Sequence, residues 1–322
     1  MKKLAVWALA SLTVLASAAG NTEQKALEML KKVSPGSITY KAENGWLYSK
    51  NELEHIAKGK LTNGRTVEVS SCRKKSNANP IPALRSFNDE LAALGIKLII
   101  LPVPPKLAAV PCGNMQAGEA VTFLRDFYRE LRAEGMTVID ISEHFKSDAA
   151  RYYCRTDAHW SPEGIALAAG LLAGEITSRG SSNFPVTQTK IQISGDLAKS
   201  LKSNPLPSEE LALYTVAGKI VDENSPVLLL GDSHTLIFSA GEDMLAENSG
   251  LAEQLAAKLN MPVDRIGIRG SAATAVRINL FRKAAKNKAY MKNKKYVIYC
   301  FSCREFTEAA SGWAKVPVLR KK

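Results

Sequence analysis

Apolar positions along the chain recur in two rhythms that replace one another in turn. Helical spacing runs from Ala83 to Leu94 and is stopped by Gly95; the unbroken apolar run KLIILPV (97–103) follows, closed by Pro104-Pro105. A run of that length between glycine and proline predicts a strand buried on both faces. The alternation continues with a helix from about Glu119 to Glu134, stopped by Gly135, and the strand MTVIDI (136–141). Ser161, Pro162 and Glu163 then open an Ala- and Leu-rich helix reaching about Thr177, with Ser161 as N-cap and Pro162 at the first helical position. The segment from about 179 to 224 is richer in Ser, Asn, Pro and Thr and reads as an irregular excursion with room for a small hairpin. Regular alternation resumes with strand PVLLLG (226–231), helix Gly250–Leu259, strand PVDRIGI (262–268), helix Ala272–Lys286 and strand KYVIYCF (295–301). Strands alternating with helices predict an α/β fold, a mainly parallel sheet covered on both faces. Upstream, Thr22 to Val33 reads as a short amphipathic helix and GWLYSK (45–50) as a strand. The pattern occupies nearly the whole chain, so no separate carbohydrate-binding module is expected.

The first twenty residues stand outside this pattern. Lys2 and Lys3 precede the apolar stretch Leu4–Ala16, and Ala16-Ser17-Ala18 has the A-x-A form of an export cleavage site. Residues 1–18 therefore read as a signal peptide, with an uncleaved N-terminal anchor as the alternative, and 19–322 as the working chain. No later segment has 18 uninterrupted apolar residues, so nothing else is expected to span a bilayer. The expected location is the periplasm, free or held to the inner membrane by the N-terminal segment. The formal net charge is +12, or +10 without Lys2 and Lys3 of the N-terminal segment, a surplus that suits an anionic partner. Nucleic acid is not expected, because the chain is read as exported and no Lys/Arg patch interleaves with aromatics. The run from Lys283 to Lys295 reads as the solvated end of a helix.

Five cysteines, Cys72, Cys112, Cys154, Cys300 and Cys303, in an oxidising compartment allow two disulfides at most. Cys300-x-x-Cys303 lies in a strand-like run, whereas redox motifs need a helix N-terminus to lower the thiol pKa. Zinc lacks a second cysteine pair. Packing thiols or a disulfide is the better reading, and Cys72 with Cys112, flanking the first helix–strand unit, are the expected pair.

Two constellations carry chemistry. In VLLLGDSHT, Ser233 falls just past a buried strand, where open α/β sheets bind their ligands. In RTDAHWSP, His159 precedes a well-capped helix, and Asp157, two residues earlier, is placed to orient its imidazole. A Gly-Asp-Ser turn and an Asp cap are the bland alternatives, and a metal site lacks further ligands nearby. A serine after a strand with an Asp-x-His elsewhere fits nucleophilic catalysis, with neither metal nor cofactor.

RTDAHWSPEG, followed some seventy residues later by VLLLGDSHT, resembles the alginate O-acetyltransferase family of AlgJ and AlgX, the SGNH-hydrolase-like group with a D-x-H-W motif. The likeness extends to GWLYSKNEL (45–53), LIILPVPPK (98–106) and the stretch from Gly250 to Arg304. It implies an SGNH-hydrolase-like three-layer α/β/α sandwich and O-acetylation of an exported polysaccharide through an acetyl-serine. It makes Ser233 the nucleophile, His159 the general base and Asp157 its orienting partner. The backbone N–H groups of Ser233 and Gly270 become oxyanion donors, Gly270 standing where a side chain would obstruct. The family's third donor, an Asn, has no match here, and Arg304 is the candidate in its place. His234, beside the serine, is expected to point away from it, leaving His159 as base. Lys106 is a candidate substrate contact, although a solvated loop lysine is the commoner reading. Trp160 either packs under the loop, which is favoured, or stacks on a sugar; His55 and His144 are expected at the surface. The resemblance also implies a membrane-bound O-acyltransferase as acetyl supplier. The rival functions are a carbohydrate acetylesterase using the same triad and a non-catalytic polysaccharide-binding scaffold.

Overall fold

Residues 22–320 are described by the structure, a computed structural model; the expected signal segment, 1–18, lies outside them. A helix over 22–31 (α1) leads to the short antiparallel pair β1 (Thr39–Lys41) and β2 (Leu47–Ser49), then α2 (Lys50–Ala57) and α3 (Arg65–Val69). Alternation follows with α4 (Ile81–Ala92), β3 (Lys97–Val103), α5 (Glu119–Ala133), β4 (Thr137–Val138) and α6 (Pro162–Glu175). The polar excursion supplies β5 (Val186–Ile193), α7 (Asp196–Ser200) and β6 (Glu209–Val216). The remainder is β7 (Val227–Gly231), α8 (Leu251–Leu259), β8 (Asp264–Gly267), α9 (Ala275–Lys286), β9 (Tyr296–Ser302) and α10 (Glu305–Glu308).

Five strands form one parallel sheet in the order β4-β3-β9-β7-β8. Successive side chains leave a strand on opposite faces, and here both faces are dry. Leu98, Ile100, Leu230 and Tyr299 join a core with α4, α5 and α9, while Ile99, Leu101, Leu229 and Ile298 join another with α6 and α8. That two-sided burial is why each strand reads as an unbroken apolar run rather than an alternating one. The expected three-layer sandwich is thus what forms. Strand β9, last in sequence, inserts between β3 and β7, so the chain progresses outward on both sides of it. Parallel strands arranged this way open a crevice at their carboxyl ends.

Several local expectations need correction. The strand expected over 136–141 stops at Val138, because the Asp140 carboxylate accepts the Ser142 N–H at 3.0 Å and starts a tight turn. The excursion is more regular than its composition suggests: β5 and β6 pair antiparallel over eight residues each, Val186 opposite Val216 through Ile193 opposite Glu209. Nearly all of β5 is exposed, so it carries polar residues, while Ile193, Leu213 and Val216 tuck into the core beside α6 and α8. The basic run after Lys283 is not wholly solvated, since Lys294 is buried and its ammonium donates to Asp264 Oδ2 at 2.7 Å and to two carbonyls. His55 is fully buried rather than at the surface: its Nδ1 bonds Thr307 Oγ1 at 2.7 Å and its ring meets Phe123 edge-on. His144 is exposed as expected.

All five cysteines are buried and free, so the Cys72–Cys112 pairing does not form. Cys72 donates to the Lys74 carbonyl and packs against Gly312, whereas Cys112 sits in the α4–α5 core beside Tyr40 and Tyr48. Cys300 and Cys303 lie in the two different cores, on opposite sides of the sheet.

Candidate active site

Each expected site residue follows the carboxyl end of a sheet strand or lies in the loop before α6. Gly231 ends β7 so close to β9 that a Cβ there would fall 1.8 Å from the Cys300 carbonyl oxygen. Asp232 then ties the two strand ends together: Oδ2 accepts the Ser302 N–H at 2.7 Å, and Oδ1 accepts the His234 N–H at 2.9 Å. The tight turn that follows begins at Ser233 and presents its hydroxyl at the crevice. Ser161 caps α6 by accepting the Gly164 N–H at 3.2 Å, which fixes the preceding loop and the imidazole it carries.

The result is a continuous hydrogen-bonded chain. His159 Nε2 lies 2.7 Å from Ser233 Oγ, and His159 Nδ1 lies 2.6 Å from Asp157 Oδ1. The His159 N–H also donates to Asp157 Oδ1, at 3.0 Å, and the Asp196 N–H donates to Oδ2, at 2.9 Å. Burial pushes the Asp157 carboxyl up, but the His159 imidazole and the two backbone N–H groups outweigh it and hold the acid well below its usual range. Burial would lower His159, yet the Asp157 charge and hydrogen bond raise it above its ordinary value. A carboxylate that stays ionised and an imidazole made more basic are what proton abstraction from Ser233 requires.

The excursion supplies unforeseen parts of this loop. Glu209 accepts the Arg155 N–H at 2.8 Å and the Thr156 N–H at 2.7 Å, and the Asp196 carboxylate accepts the Ala158 N–H at 2.8 Å. No local motif announces them, because each meets its partner only through the folded hairpin. Asp157, His159 and Asp196 also bring one ligand atom each within 4.8 Å of one another. The bonds above commit Nδ1 and both Asp157 oxygens inside the protein, an arrangement suited to handling a proton.

Ser233, Gly270 and Arg304 line one open groove of about 410 Å³, with Lys199, Asp196 and Arg269 around its rim. Gly270 has φ +87°, and nothing lies within 4 Å of where a Cβ would stand. The left-handed backbone alone favours glycine at this position. Arg304 is half-buried, and its guanidinium makes no hydrogen bond or ion pair among the described residues. Trp160 is buried with its edge on the His234 ring and cannot stack on a sugar. His234 is also buried, bonding Asp232 at 3.0 Å through Nδ1, with its ring 4.7 Å from that of His159. Burial lowers its pKa despite Asp232, so it stands as a neutral neighbour.

Lys106 contradicts both expectations for it. It is fully buried, with Nζ donating to the Leu47 carbonyl at 2.6 Å and the Asp157 carbonyl at 2.7 Å, above the rings of Trp46 and Tyr48. Its backbone N–H donates to buried Glu52 at 3.3 Å. Burial lowers the ammonium's pKa against the pull of Glu52, and raises that of Glu52 against Arg304 and Lys106.

Comparison with known proteins bears on the fold and the family. The fold matches the O-acetyltransferase domain of Pseudomonas putida AlgJ with a TM-score of 0.63 at 19% identity, over 84% of this chain and 92% of that one. It matches Pseudomonas aeruginosa AlgX with a TM-score of 0.59 at 16% identity, over 82% and 62%. By sequence, the chain is 25% identical over 225 residues to the probable alginate O-acetylase AlgJ of Pseudomonas aeruginosa, covering 66% of this chain and 52% of that protein. It is likewise 25% identical over 188 residues to the same-named protein of Pseudomonas syringae pv. tomato, covering 55% and 44%. The chain spans about half the length of these curated relatives. A profile described as the SGNH hydrolase-like domain of acetyltransferase AlgX matches residues 40–298. With four-fifths of its length so matched, the chain belongs to the SGNH hydrolase-like family of the acetyltransferase AlgX.

Proposed function

We propose that this protein is an O-acetyltransferase that moves an acetyl group onto a hydroxyl of an exported polysaccharide, working in the periplasm. The observation that carries this reading is the Ser233–His159–Asp157 chain, with links of 2.7 and 2.6 Å, opening onto a groove. Ser233 Oγ attacks the acetyl carbonyl while His159 Nε2 takes its proton, and Asp157 stabilises the imidazolium. The carbonyl oxygen, now negative, is met by the N–H groups of Ser233 and Gly270 and by the Arg304 guanidinium. As the intermediate collapses, His159 returns the proton to the leaving group, and acetyl-Ser233 remains. His159 then deprotonates a sugar hydroxyl, which attacks the acetyl-serine and restores the free serine. The family and the alginate O-acetylase names of its relatives support a polysaccharide acceptor, and the net charge of +10 over 19–322 favours an anionic one. A membrane-bound O-acyltransferase is the proposed acetyl supplier. The N-terminal segment is the proposed export signal or inner-membrane anchor, and 19–322 the catalytic unit with the excursion built into its site.

An acetylesterase would use the same chain with water as acceptor, and the open groove admits water. The two are separated by a burst assay with a chromogenic acetyl ester, with and without anionic oligosaccharides. Transfer is expected to clear the acetyl-enzyme faster when oligosaccharide is added and to leave acetylated sugar. Stripping of acetylated glycans with no acetyl gained by any glycan would establish the esterase instead.

A further inference from the structure

A fully buried ammonium beside the loop that carries the triad's acid has no part in the reaction just described. Taking an ammonium out of water is costly, and a site needing only bulk is better served by an apolar side chain. Lys106 follows Pro104-Pro105 at the carboxyl end of β3 and reaches across to two other segments. Its Nζ joins the Leu47 carbonyl of β2 to the Asp157 carbonyl, at 2.6 and 2.7 Å. The same residue of β2 donates its N–H to the Arg155 carbonyl at 3.0 Å, so β2 and the loop 155–158 run side by side with Lys106 bolted across them. On the loop's other side, Gly195 packs so close that a Cβ would lie 2.3 Å from that of Asp157, and the Asp196 N–H holds the carboxylate. Asp157 is thus gripped from both sides, with the Lys106 ammonium holding its backbone.

We propose that Lys106 is a positioning residue of the triad: its ammonium fixes the Asp157 carbonyl, and through it the carboxylate that orients His159. The proposal rests on the acyl-transfer reading above for its kinetic arm. Glu52, buried nearby and accepting the Lys106 backbone N–H, is an opposing charge that a clean test removes together with the ammonium.

Lys106→Met alone keeps the backbone N–H bond to Glu52 but takes away one of the two positive charges, Arg304 and Lys106, that offset this buried carboxyl, so the informative protein is Lys106→Met combined with Glu52→Gln, which removes both charges. It is compared with wild type by denaturant unfolding, by kcat and KM for a chromogenic acetyl ester, and by the downfield NMR signal of the His159 Nδ1 proton. A displacement of about 1 Å in a catalytic constellation costs roughly 10²-fold in rate. The double variant is therefore expected to unfold cooperatively near the wild-type midpoint, keep KM within about threefold and lose roughly 10²-fold in kcat, with the downfield signal displaced or lost. A folded double variant with wild-type kcat and an unchanged downfield signal would overturn the proposal and leave Lys106 a packing residue. Should the double variant not fold, Lys106→Arg keeps the positive charge but puts a broad planar guanidinium where a single ammonium nitrogen now donates to both carbonyls beside two rings. Wild-type kcat in that variant would overturn the proposal equally. If the wild type turns over no acetyl ester, the functional reading fails by itself, and the NMR signal still decides the role of Lys106.

Discussion

Replacing Asp157 with Asn tests the chemistry with the least change of shape. The native carboxylate accepts on both oxygens, Nδ1–H of His159 at 2.6 Å on one side and the Asp196 N–H at 2.9 Å on the other. The His159 backbone N–H also donates to the first of these oxygens, at 3.0 Å, so an amide offers one accepting oxygen and one donating NH2 to three donors. With its oxygen toward His159, the NH2 faces the Asp196 N–H, and a buried pair of donors is left unsatisfied. Turned the other way, the NH2 donates to Nδ1, which drives the imidazole proton onto Nε2. That proton then faces Ser233 Oγ across 2.7 Å, and the imidazole can no longer accept the serine's own. The wrong tautomer in a serine triad costs about 10⁴ in kcat, equivalent to about 5.5 kcal/mol of barrier. The unsatisfied group costs only about 1–3 kcal/mol of stability, which a chain of this size withstands. Steady-state hydrolysis of a chromogenic acetyl ester reads the first quantity and denaturant unfolding the second. A folded Asp157→Asn protein whose kcat stays within about tenfold of wild type would refute the tautomer argument and the assignment of Asp157 with it.

Three further outcomes are expected. Because Asp157 raises the His159 pKa despite burial, the base protonates above the ordinary histidine value, so kcat/KM is expected to fall with decreasing pH along a limb centred above about 6.5, read from a pH–rate profile. His55, fully buried and lowered by that burial to about 3, binds its proton more readily in the unfolded chain; stability is intact above about pH 6.5, falls as pH drops toward 3, and is reduced by about 2 kcal/mol at about pH 5, a loss that urea midpoints should show to be smaller in His55→Gln. Gly270→Ala meets no neighbouring atom but strains a φ of +87°, so it is expected to cost about 1–2 kcal/mol of stability and to lower kcat with little change in KM, as the N–H leaves its place.

The sheet was legible because both its faces are buried, which writes each strand as a continuous apolar run. Ser161 and Pro162 marked the start of α6, and the Asp-x-His spacing placed Nδ1 against its carboxylate through the loop they share. Ser233 was found because it ends a buried strand. What could not be read were contacts made across the fold. Lys106 looks like any loop lysine until β2 and the Asp157 loop close over it, and His55 like any polar helix position until Thr307 arrives. Glu209 and Asp196 sit in a polar stretch whose exposure hides that its loop grips the catalytic acid. The Cys72–Cys112 pairing failed for the same reason: nearness in the element order was taken for nearness in space, while the two thiols belong to different neighbourhoods.

The central claim is that Ser233, activated by His159, carries the acyl group. It is tested most directly by brief incubation with an acetyl ester, acid quenching and peptide mass mapping of the wild type alongside Ser233→Ala and His159→Ala. The account predicts acetyl on the peptide spanning Ser233, none there in Ser233→Ala, and greatly slowed labelling in His159→Ala. Acetylation at another residue in the wild type, or unchanged turnover by the Ser233→Ala protein, would contradict it.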